Sequence, residues 1–479
     1  MIHLAVQIQT LLNTILLILY IVTVVGLVLV VITENRNPLK AISWVIVLLF
    51  IPGIGLLFYF FFGQDNRQQR IISRRAYKRM KKRFQQGQIK ENDSPVPERY
   101  RSLISLMENN NHSHLLYGTS IHVYTNGVDK FNALLEEIKK AVHHIHLQYY
   151  IFCDDTIGTE IKNALIAKAK EGVEVRILYD GVGSWKAKRR FFNEMKEAGI
   201  EIYAFLRVAL PVLTNKVNYR NHRKIVVIDG KVGFMGGMNI ADRYTIGTEL
   251  GIWRDTHFRF EGRGVYGLQA SFLIDWYGVT KKLIDTKGYY PPTKIFNDNM
   301  MQIVTSGPIG PWRTLLQATI FAITNAKEYV YIQTPYFLPT EGLNQALQTV
   351  ALGGLDVRLM LPLKSDARMV NMASHSYIDE MEKAGVKVFF YKSGFLHSKL
   401  IVIDDNLTVI GSANMDFRSF EHNFEINAFV YQKDFAIEMK EVFLQDEADS
   451  ELLIPSVWLK RPLTQRFVES FMRLFSPLF

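Results

Sequence analysis

The stretch Asn221-His222-Arg223-Lys224-Ile225-Val226-Val227-Ile228-Asp229-Gly230 sets a histidine and a lysine two residues apart, ahead of an apolar run that ends in an aspartate. The pattern returns at His397-Ser398-Lys399-Leu400-Ile401-Val402-Ile403-Asp404. In an extended chain residues i and i+2 project from one face, so each copy directs a base and a cation to one spot. A histidine that attacks phosphorus forms a covalent intermediate. A second histidine can protonate the departing alcohol and later deprotonate its replacement. Lys224 and Lys399 would hold the non-bridging oxygens as charge develops on them. Each copy reaches an asparagine ten residues beyond its aspartate, Asn239 and Asn414, and these join the phosphate-binding set. One His-x-Lys pair is a weak signal, because short motifs arise by chance and most strand histidines are simply packed or solvated. Two long copies in matching order are specific.

The β-branched residues after each lysine predict a strand. Asp229-Gly230 and Asp404-Asp405-Asn406, each followed by another apolar segment, predict hairpin turns. Asp229 and Asp404 are therefore expected to brace the turn rather than touch phosphate. Around these hairpins lies a longer repeat. Residues 145–152 correspond to 330–337, and 173–178 to 355–360, each after a helical pattern. Helix and strand follow again at 191–204 and 376–391, and later helices carry Phe272 and Asp275 or Phe443 and Asp446. Such alternation predicts an α/β fold of two homologous domains with mixed sheets, their motifs facing each other across a pseudo-two-fold axis. No Cys/His cluster has zinc spacing and no dense carboxylate cluster suits magnesium, so no metal is expected. Gly262-Arg263-Gly264-Val265-Tyr266-Gly267 matches the dinucleotide fingerprint by letter, yet no βαβ unit surrounds it, and it reads as a tight turn before a helix.

The chain has 479 residues, 48% of them hydrophobic, which excludes general disorder, and a formal charge of +10, which points to an anionic partner. Its single cysteine, Cys153, cannot form an internal disulfide and reads as a small buried apolar residue. Residues 11–32 are almost wholly apolar and would span roughly 33 Å as a helix. A polar connection with Pro38 leads to a second apolar span, 41–62, interrupted by Pro52, Gly53 and Gly55. Together they predict a two-helix transmembrane hairpin. It lacks the basic leader and cleavage site of a signal peptide. Arg67, Arg70, Arg74, Arg75, Lys78, Arg79, Lys81, Lys82 and Arg83 follow, a bias that predicts a cytoplasmic location for everything after the hairpin. This basic segment reads either as lying along anionic headgroups or as a solvated helix. The expected division is hairpin 1–63, basic segment and linker 64–100, first catalytic domain 101–295, and second catalytic domain 296–479. Residues 204–206 and 208–213 are apolar, and the tail, with Phe467, Phe471, Leu474, Phe475, Leu478 and Phe479 beside Arg461, Arg466 and Arg473, is amphipathic. Packing against the domain is the first reading of both, with at least one helping lipid enter the site.

In these motifs the chain resembles the phospholipase D superfamily with its paired HKD motifs, and within it the bacterial cardiolipin synthases, over nearly its full length. The closer likeness rests on the apolar hairpin, Arg220 to Ile225, Trp253-Arg254-Asp255 and Thr334-Pro335-Tyr336-Phe337. Gly394 to Lys399, Arg418-Ser419-Phe420 and Asn423 to Asn427 extend it. The resemblance implies two phospholipase D-like α/β domains. It implies transfer of a phosphatidyl group from one phosphatidylglycerol to the hydroxyl of another, giving cardiolipin and glycerol with no cofactor. In that scheme His222 is the nucleophile and His397 the general acid and base, an order taken from the family. Lys224, Lys399, Asn239 and Asn414 bind phosphate, and Asp255 and Glu425 each orient a histidine. Ser412 has a hydroxyl that can donate to phosphate, whereas its counterpart Gly237 has no side chain. The implied setting is the bacterial inner membrane, with anionic lipids rather than nucleic acid as partners. The alternatives are phospholipid hydrolysis, phosphatidylserine synthesis, nuclease action and a catalytically dead membrane scaffold. Complete motifs argue against the scaffold, and charge concentrated beside a membrane hairpin favours lipid over nucleic acid.

Overall fold

The computed structural model describes residues 2–33, 38–51, 53–59, 63, 97–205, 219–284, 287–296 and 299–479. The basic segment from Arg67 to Arg83 and the apolar run 208–213 lie outside the described residues. The chain divides into two compact units, one of residues 1–66 and 208–218 and the other of 67–207 and 219–479.

In the smaller unit, helix Ile2–Thr33 contains one stretch, Val6–Thr33, long and apolar enough to cross a membrane. Three of its threonines are satisfied within the helix: Thr10, Thr14 and Thr23 each donate to the carbonyl four residues back, at 2.8–2.9 Å. The second span departs from expectation. Helix Pro38–Phe50 has 13 residues, about 20 Å at 1.5 Å each, and falls short of a hydrocarbon core of about 30 Å. Gly53 then takes φ +73°, a left-handed conformation, before a short helix Ile54–Phe58. Hydrogen bonds from Gly55 N to the Ile51 carbonyl, at 2.7 Å, and from Leu57 N to the Gly53 carbonyl, at 3.2 Å, carry the chain through this bend. The two longer helices pack together through Val24, Val31 and Leu48, and Tyr20 Oη donates to the Leu48 carbonyl at 3.3 Å.

The larger unit begins with strands β1 (Leu116–Tyr117), β2 (Thr119–Tyr124), β3 (His144–Tyr149), β4 (Glu174–Asp180), β5 (Glu201–Phe205), β6 (Ile225–Ile228), β7 (Val232–Gly236), β8 (Trp253–Arg254) and β9 (His257–Gly262). It continues with β10 (Met300–Ser306), β11 (Tyr329–Gln333), β12 (Phe337–Leu338), β13 (Asp356–Pro362), β14 (Lys387–Tyr391), β15 (Phe395–Leu396), β16 (Leu400–Ile403), β17 (Leu407–Gly411), β18 (Met415–Asp416), β19 (Glu425–Val430) and β20 (Ser450–Leu452). The first sheet has the order β2-β9-β7-β6-β3-β4-β5, parallel only at β3-β4 and β4-β5. The second repeats that order and those directions as β10-β19-β17-β16-β11-β13-β14, and adds β1 and β20 at its edges. The parallel pairs are the ones joined through helices, as crossover geometry requires, and β6-β7 and β16-β17 are the hairpins.

Alternation along the motif strands assembles the layers. Val226 and Ile228 of β6 face an outer helical layer with Leu134, Ile161 and Met195, whereas Ile225 and Val227 face a shared middle layer. In β16, Ile401 and Ile403 likewise face outward, and Leu400 and Val402 face the middle. Val265 and Leu268 of helix Gly264–Thr280 and Phe435, Met439 and Phe443 of helix Lys433–Ala448 fill that middle layer. Both sheets are thus covered on each face, which explains why the strands read as continuous apolar runs. The segment from Tyr100 to Tyr117, counted with the first domain in the sequence, joins the second half: Leu103, Ile104 and Met107 enter its core and Leu116 pairs with Met301. The glycine-rich fingerprint is a turn between β9 and a helix, where a Cβ on Gly262 would lie 2.4 Å from the Gly118 carbonyl. Cys153 is half-buried against the first-half core.

Candidate active site

The residues just ahead of β6 and β16 stay extended but leave their own sheet and pair with the opposite half. Asn221 bridges Phe424 in parallel fashion, and His222 N donates to the Phe424 carbonyl at 2.9 Å. In the other motif β15 pairs in parallel with β8, and His397 N donates to the Arg254 carbonyl at 2.7 Å. The residue after each partner segment is a carboxylate, Glu425 or Asp255. Each therefore meets the histidine of the other half. His222 Nδ1 lies 3.0 and 3.1 Å from the two Glu425 oxygens, and His397 Nδ1 lies 2.6 Å from Asp255 Oδ2. A carboxylate accepting the Nδ1 proton fixes the tautomer and leaves the Nε2 lone pair for chemistry.

The lysines stand beside the rings. Lys224 Nζ donates to the His222 carbonyl at 2.6 Å, and Lys399 Nζ donates to the His397 carbonyl and lies 2.9 Å from His397 Nδ1. Both histidines sense both lysine charges, and both lysines sense both carboxylates, so the two motifs form one electrostatic site. Burial drives Lys224 down to about 7 and Lys399 down to about 8, with Glu425 and Asp255 opposing. Burial also lowers His222, against the pull of Glu425, and lowers His397 further, reinforced by Lys399 and Lys224. The carboxylates diverge. Burial lifts Asp255 to about 6 despite Lys399, whereas for Glu425 burial is outweighed by His222, Lys224 and the Ser412 hydroxyl, which hold it below the usual range.

Asn239 and Asn414 are buried in matching positions beyond the hairpins. Asn239 Nδ2 donates to Tyr244 Oη at 3.2 Å, and Asn414 Nδ2 donates to Asp416 Oδ2 at 2.9 Å. An amide nitrogen carries two hydrogens, so each keeps one for a ligand. Ser412 differs from its expected role. Its hydroxyl donates to Glu425 Oε2 at 2.5 Å and accepts from Ile426 N, and so positions the carboxylate instead of offering a free donor. At the equivalent Gly237 a Cβ would fall 2.0 Å from Asp255 Oδ1, so only glycine admits the shorter carboxylate. Asp229 and Asp404 sit seven residues past their histidines, roughly 20 Å along an extended strand. They take φ of +54° and +52° in the hairpin turns. Asp229 accepts from the amides of Val142, His143 and His144, and Asp404 from those of Lys327, Glu328 and Tyr329, at 2.7–3.0 Å.

The sequence matched Asp275 with Asp446 as repeat positions but gave neither a supporting role. Asp275 accepts from Arg223 (2.6 Å), Gln148 (2.7 Å) and Asn221 (3.2 Å); Asp446 accepts from Arg254 (2.7 Å) and Gln333 (2.7 Å). The matching Gln-Asp pairs in both repeats were the available signal. Tyr150 sets its ring edge on His222, with centroids 4.9 Å apart. Lys130 is wholly buried on helix Gly127–Lys140, donating to Tyr149 Oη at 3.0 Å with its ammonium 3.8 Å from the Phe131 centroid. Burial lowers it well below the ordinary lysine value, against the pull of Asp255. A lone lysine on an amphipathic helix carries no sequence mark of such burial. Among the described residues no group of three or more His, Cys, Asp or Glu is arranged to hold a metal ion.

Residues 134–253 and 320–447 match the family described as cardiolipin synthase, PLD-like domain, and residues 18–64 match that described as phospholipase D-nuclease N-terminal. The chain is 42% identical over 463 residues to a cardiolipin synthase of Geobacillus sp. (strain WCH70), covering 95% of this chain and 92% of that protein. It is 38% identical over 471 residues to the major cardiolipin synthase of Bacillus subtilis (strain 168), covering 96% and 98%. In fold it is similar to the crystal structure of a phosphatidylserine synthase from Haemophilus influenzae Rd KW20, with a TM-score of 0.60 and 14% identity over 79% of this chain and 98% of that one.

Proposed function

The chain belongs to the cardiolipin synthases of the phospholipase D-like superfamily, which are phosphatidyltransferases, and from that premise we propose how its own residues carry the reaction. His222 Nε2 attacks the phosphorus of one phosphatidylglycerol. The bond from phosphorus to the headgroup glycerol breaks, and His397, protonated at Nε2, gives its proton to the leaving oxygen. Glycerol departs and a phosphatidyl-His222 intermediate remains. A second phosphatidylglycerol then presents its terminal hydroxyl. His397 takes that proton as the oxygen attacks phosphorus, the P–N bond breaks, and cardiolipin leaves with His222 restored. Lys224 and Lys399 hold the non-bridging oxygens, with the remaining amide hydrogens of Asn239 and Asn414 beside them.

The observation that carries this reading is the crossed support of the two histidines. Each Nδ1 is held by a carboxylate from the opposite half, at 3.0 Å for His222 and 2.6 Å for His397, so each Nε2 is free. The asymmetry between the pairs favours His222 as the nucleophile. Its partner Glu425 is held ionised by His222, Lys224 and Ser412 and so favours the positive charge that the attacking ring acquires. The test is a chelator-treated incubation with phosphatidylglycerol vesicles. Cardiolipin and glycerol in equal amounts, absent in His222→Ala and His397→Ala, support the reading, and a quenched phosphatidyl-enzyme that forms in His397→Ala but not in His222→Ala supports the order. Phosphatidic acid as the main product would make water the acceptor and overturn transfer.

The second apolar segment, residues 41–62 taken together and not helix Pro38–Phe50 alone, is further proposed to complete a two-pass membrane hairpin, 1–63, with a basic connector 64–100 and catalytic halves 101–295 and 296–479 on the cytoplasmic side of the inner membrane, residues 101–117 packing with the second half. Support comes from the long apolar helix Val6–Thr33 and from the arginines and lysines between Arg67 and Arg83. Protease protection in oriented membrane vesicles tests the orientation.

A further inference from the structure

The end of the chain packs on its domain with the wrong side inward. Helix Leu463–Arg473 and the turns after it lie against helix Arg368–Lys383. Trp458, Met472 and Phe479 pack against the second-half core, and a set of charged and polar contacts surrounds them. Glu469, only 2% exposed, accepts from Arg461 at 2.6 Å, Arg473 donates to Glu380 at 2.5 Å, and Tyr377 bonds Ser476 at 3.2 Å. Arg461 also reaches Asp379 at 2.7 Å and lies over the Trp458 ring. Meanwhile Leu463, Phe467, Phe471, Leu474 and Leu478 recur at helical spacing along the opposite face, and Leu463, Phe467 and Leu474 are 72–79% exposed. An ordinary surface helix turns its apolar stripe to the core. Here ion pairs hold the stripe outward, and Val457 and Leu459, also exposed, extend it.

We propose that this stripe docks on the surface of a phospholipid bilayer, seating the second catalytic half at the membrane independently of the N-terminal helix. A contiguous apolar face of this kind demands an occupant. Two observations choose the bilayer: the chain carries a helix long and apolar enough to cross a membrane, and its family acts on membrane lipid. Lys460, exposed beside the stripe, suits anionic headgroups, as in helices that lie in the interface plane, whereas Arg466 turns towards Asp379 at 3.7 Å. The docking goes beyond the proposed reaction and does not depend on which histidine attacks, since it rests on the exposure of this face together with the membrane-length helix and the family.

The test uses the full-length protein in phosphatidylglycerol/phosphatidylethanolamine proteoliposomes, with Cys153→Ser removing the native cysteine and single spin labels at Phe467→Cys, Phe471→Cys or the exposed control Lys139→Cys. Labels at 467 and 471 that are reached by oxygen but shielded from a water-soluble nickel relaxant, with the control open to nickel, establish docking. Nickel access at 467 equal to the control overturns it. Shielding accompanied by spin–spin broadening that vanishes on dilution with unlabelled protein also overturns it, because a second copy then covers the face. The double variant Phe467→Glu/Leu474→Glu is expected to lower turnover of vesicle phosphatidylglycerol at least about tenfold while sparing the same lipid in detergent micelles; unchanged vesicle turnover overturns the proposal. The single-label readings stand whether or not that double variant folds.

Discussion

At the scale of the residue, the site couples a pair of histidines to a pair of depressed lysines. A lysine binds an anionic phosphodiester only while protonated. With Lys224 near 7 and Lys399 near 8 in the free protein, kcat/KM is expected to fall as pH rises through that window, as the cationic forms are lost. Bound phosphate favours those cations, so the alkaline limb of kcat should lie higher than that of kcat/KM. A profile of kcat/KM flat to pH 9 would contradict the arrangement. The carboxylates give a second expectation. Glu425→Gln and Asp255→Asn keep the size of each group but can present an N–H to Nδ1 and select the wrong tautomer. Turnover should drop roughly 10²- to 10⁴-fold in each with little change in thermal stability. Rapid-quench measurement of each half-reaction would show which histidine each variant disables.

At the scale of the element, the motif strand has two ends with separate duties. Its start carries the chemistry, and its aspartate fastens the turn to the amides at the entry to β3 or β11. Asp229→Ala or Asp404→Ala leaves three N–H groups without their acceptor and should cost about 2 kcal/mol or more. Chemical denaturation should register that loss while turnover per folded molecule is largely kept. This is the reverse of what a phosphate-binding aspartate would give. The turn after β7 offers a sharper contrast. Gly237→Ala sets a methyl 2.0 Å from Asp255 Oδ1 and should displace the carboxylate from His397, lowering activity at least about 100-fold. Ser412→Gly at the equivalent place removes a hydrogen bond to Glu425 and should cost much less.

At the scale of the whole molecule, neither catalytic half owns a complete site. Each supplies one histidine and lysine together with the carboxylate that orients the other's histidine, and the crossing strands Asn221–Phe424 and β8-β15 hold this exchange in register. The Arg254–Asp446 pair, at 2.7 Å and largely buried, ties β8 to the second half. Arg254→Ala leaves that carboxylate and the Gln333 network partly unpaired and should cost about 3–5 kcal/mol. Because Asp255 is the next residue, turnover should fall with stability. A variant that loses stability but retains full turnover would show that the halves need no such tie.

Much of this was legible in the chain itself. Two His-x-Lys-x4-Asp runs, each with an asparagine ten residues on, are a local pattern repeated at long range. Repetition is what separates chemistry from chance, and the β-branched run between lysine and aspartate specifies the strand and its turn. The apolar length of the first helix was equally plain, since hydropathy is additive along the chain. What the sequence left open depends on which distant groups are neighbours. The crossing of Glu425 to His222 and of Asp255 to His397, the turning of Ser412 to Glu425, and the membership of residues 100–117 in the second half follow from strand pairing between segments far apart in the chain. The outward face of the last helix is of the same kind. Periodicity marks an amphipathic helix but not which side is buried, and here Arg461, Arg473, Asp379 and Glu380, brought together only by the fold, turn the polar side in.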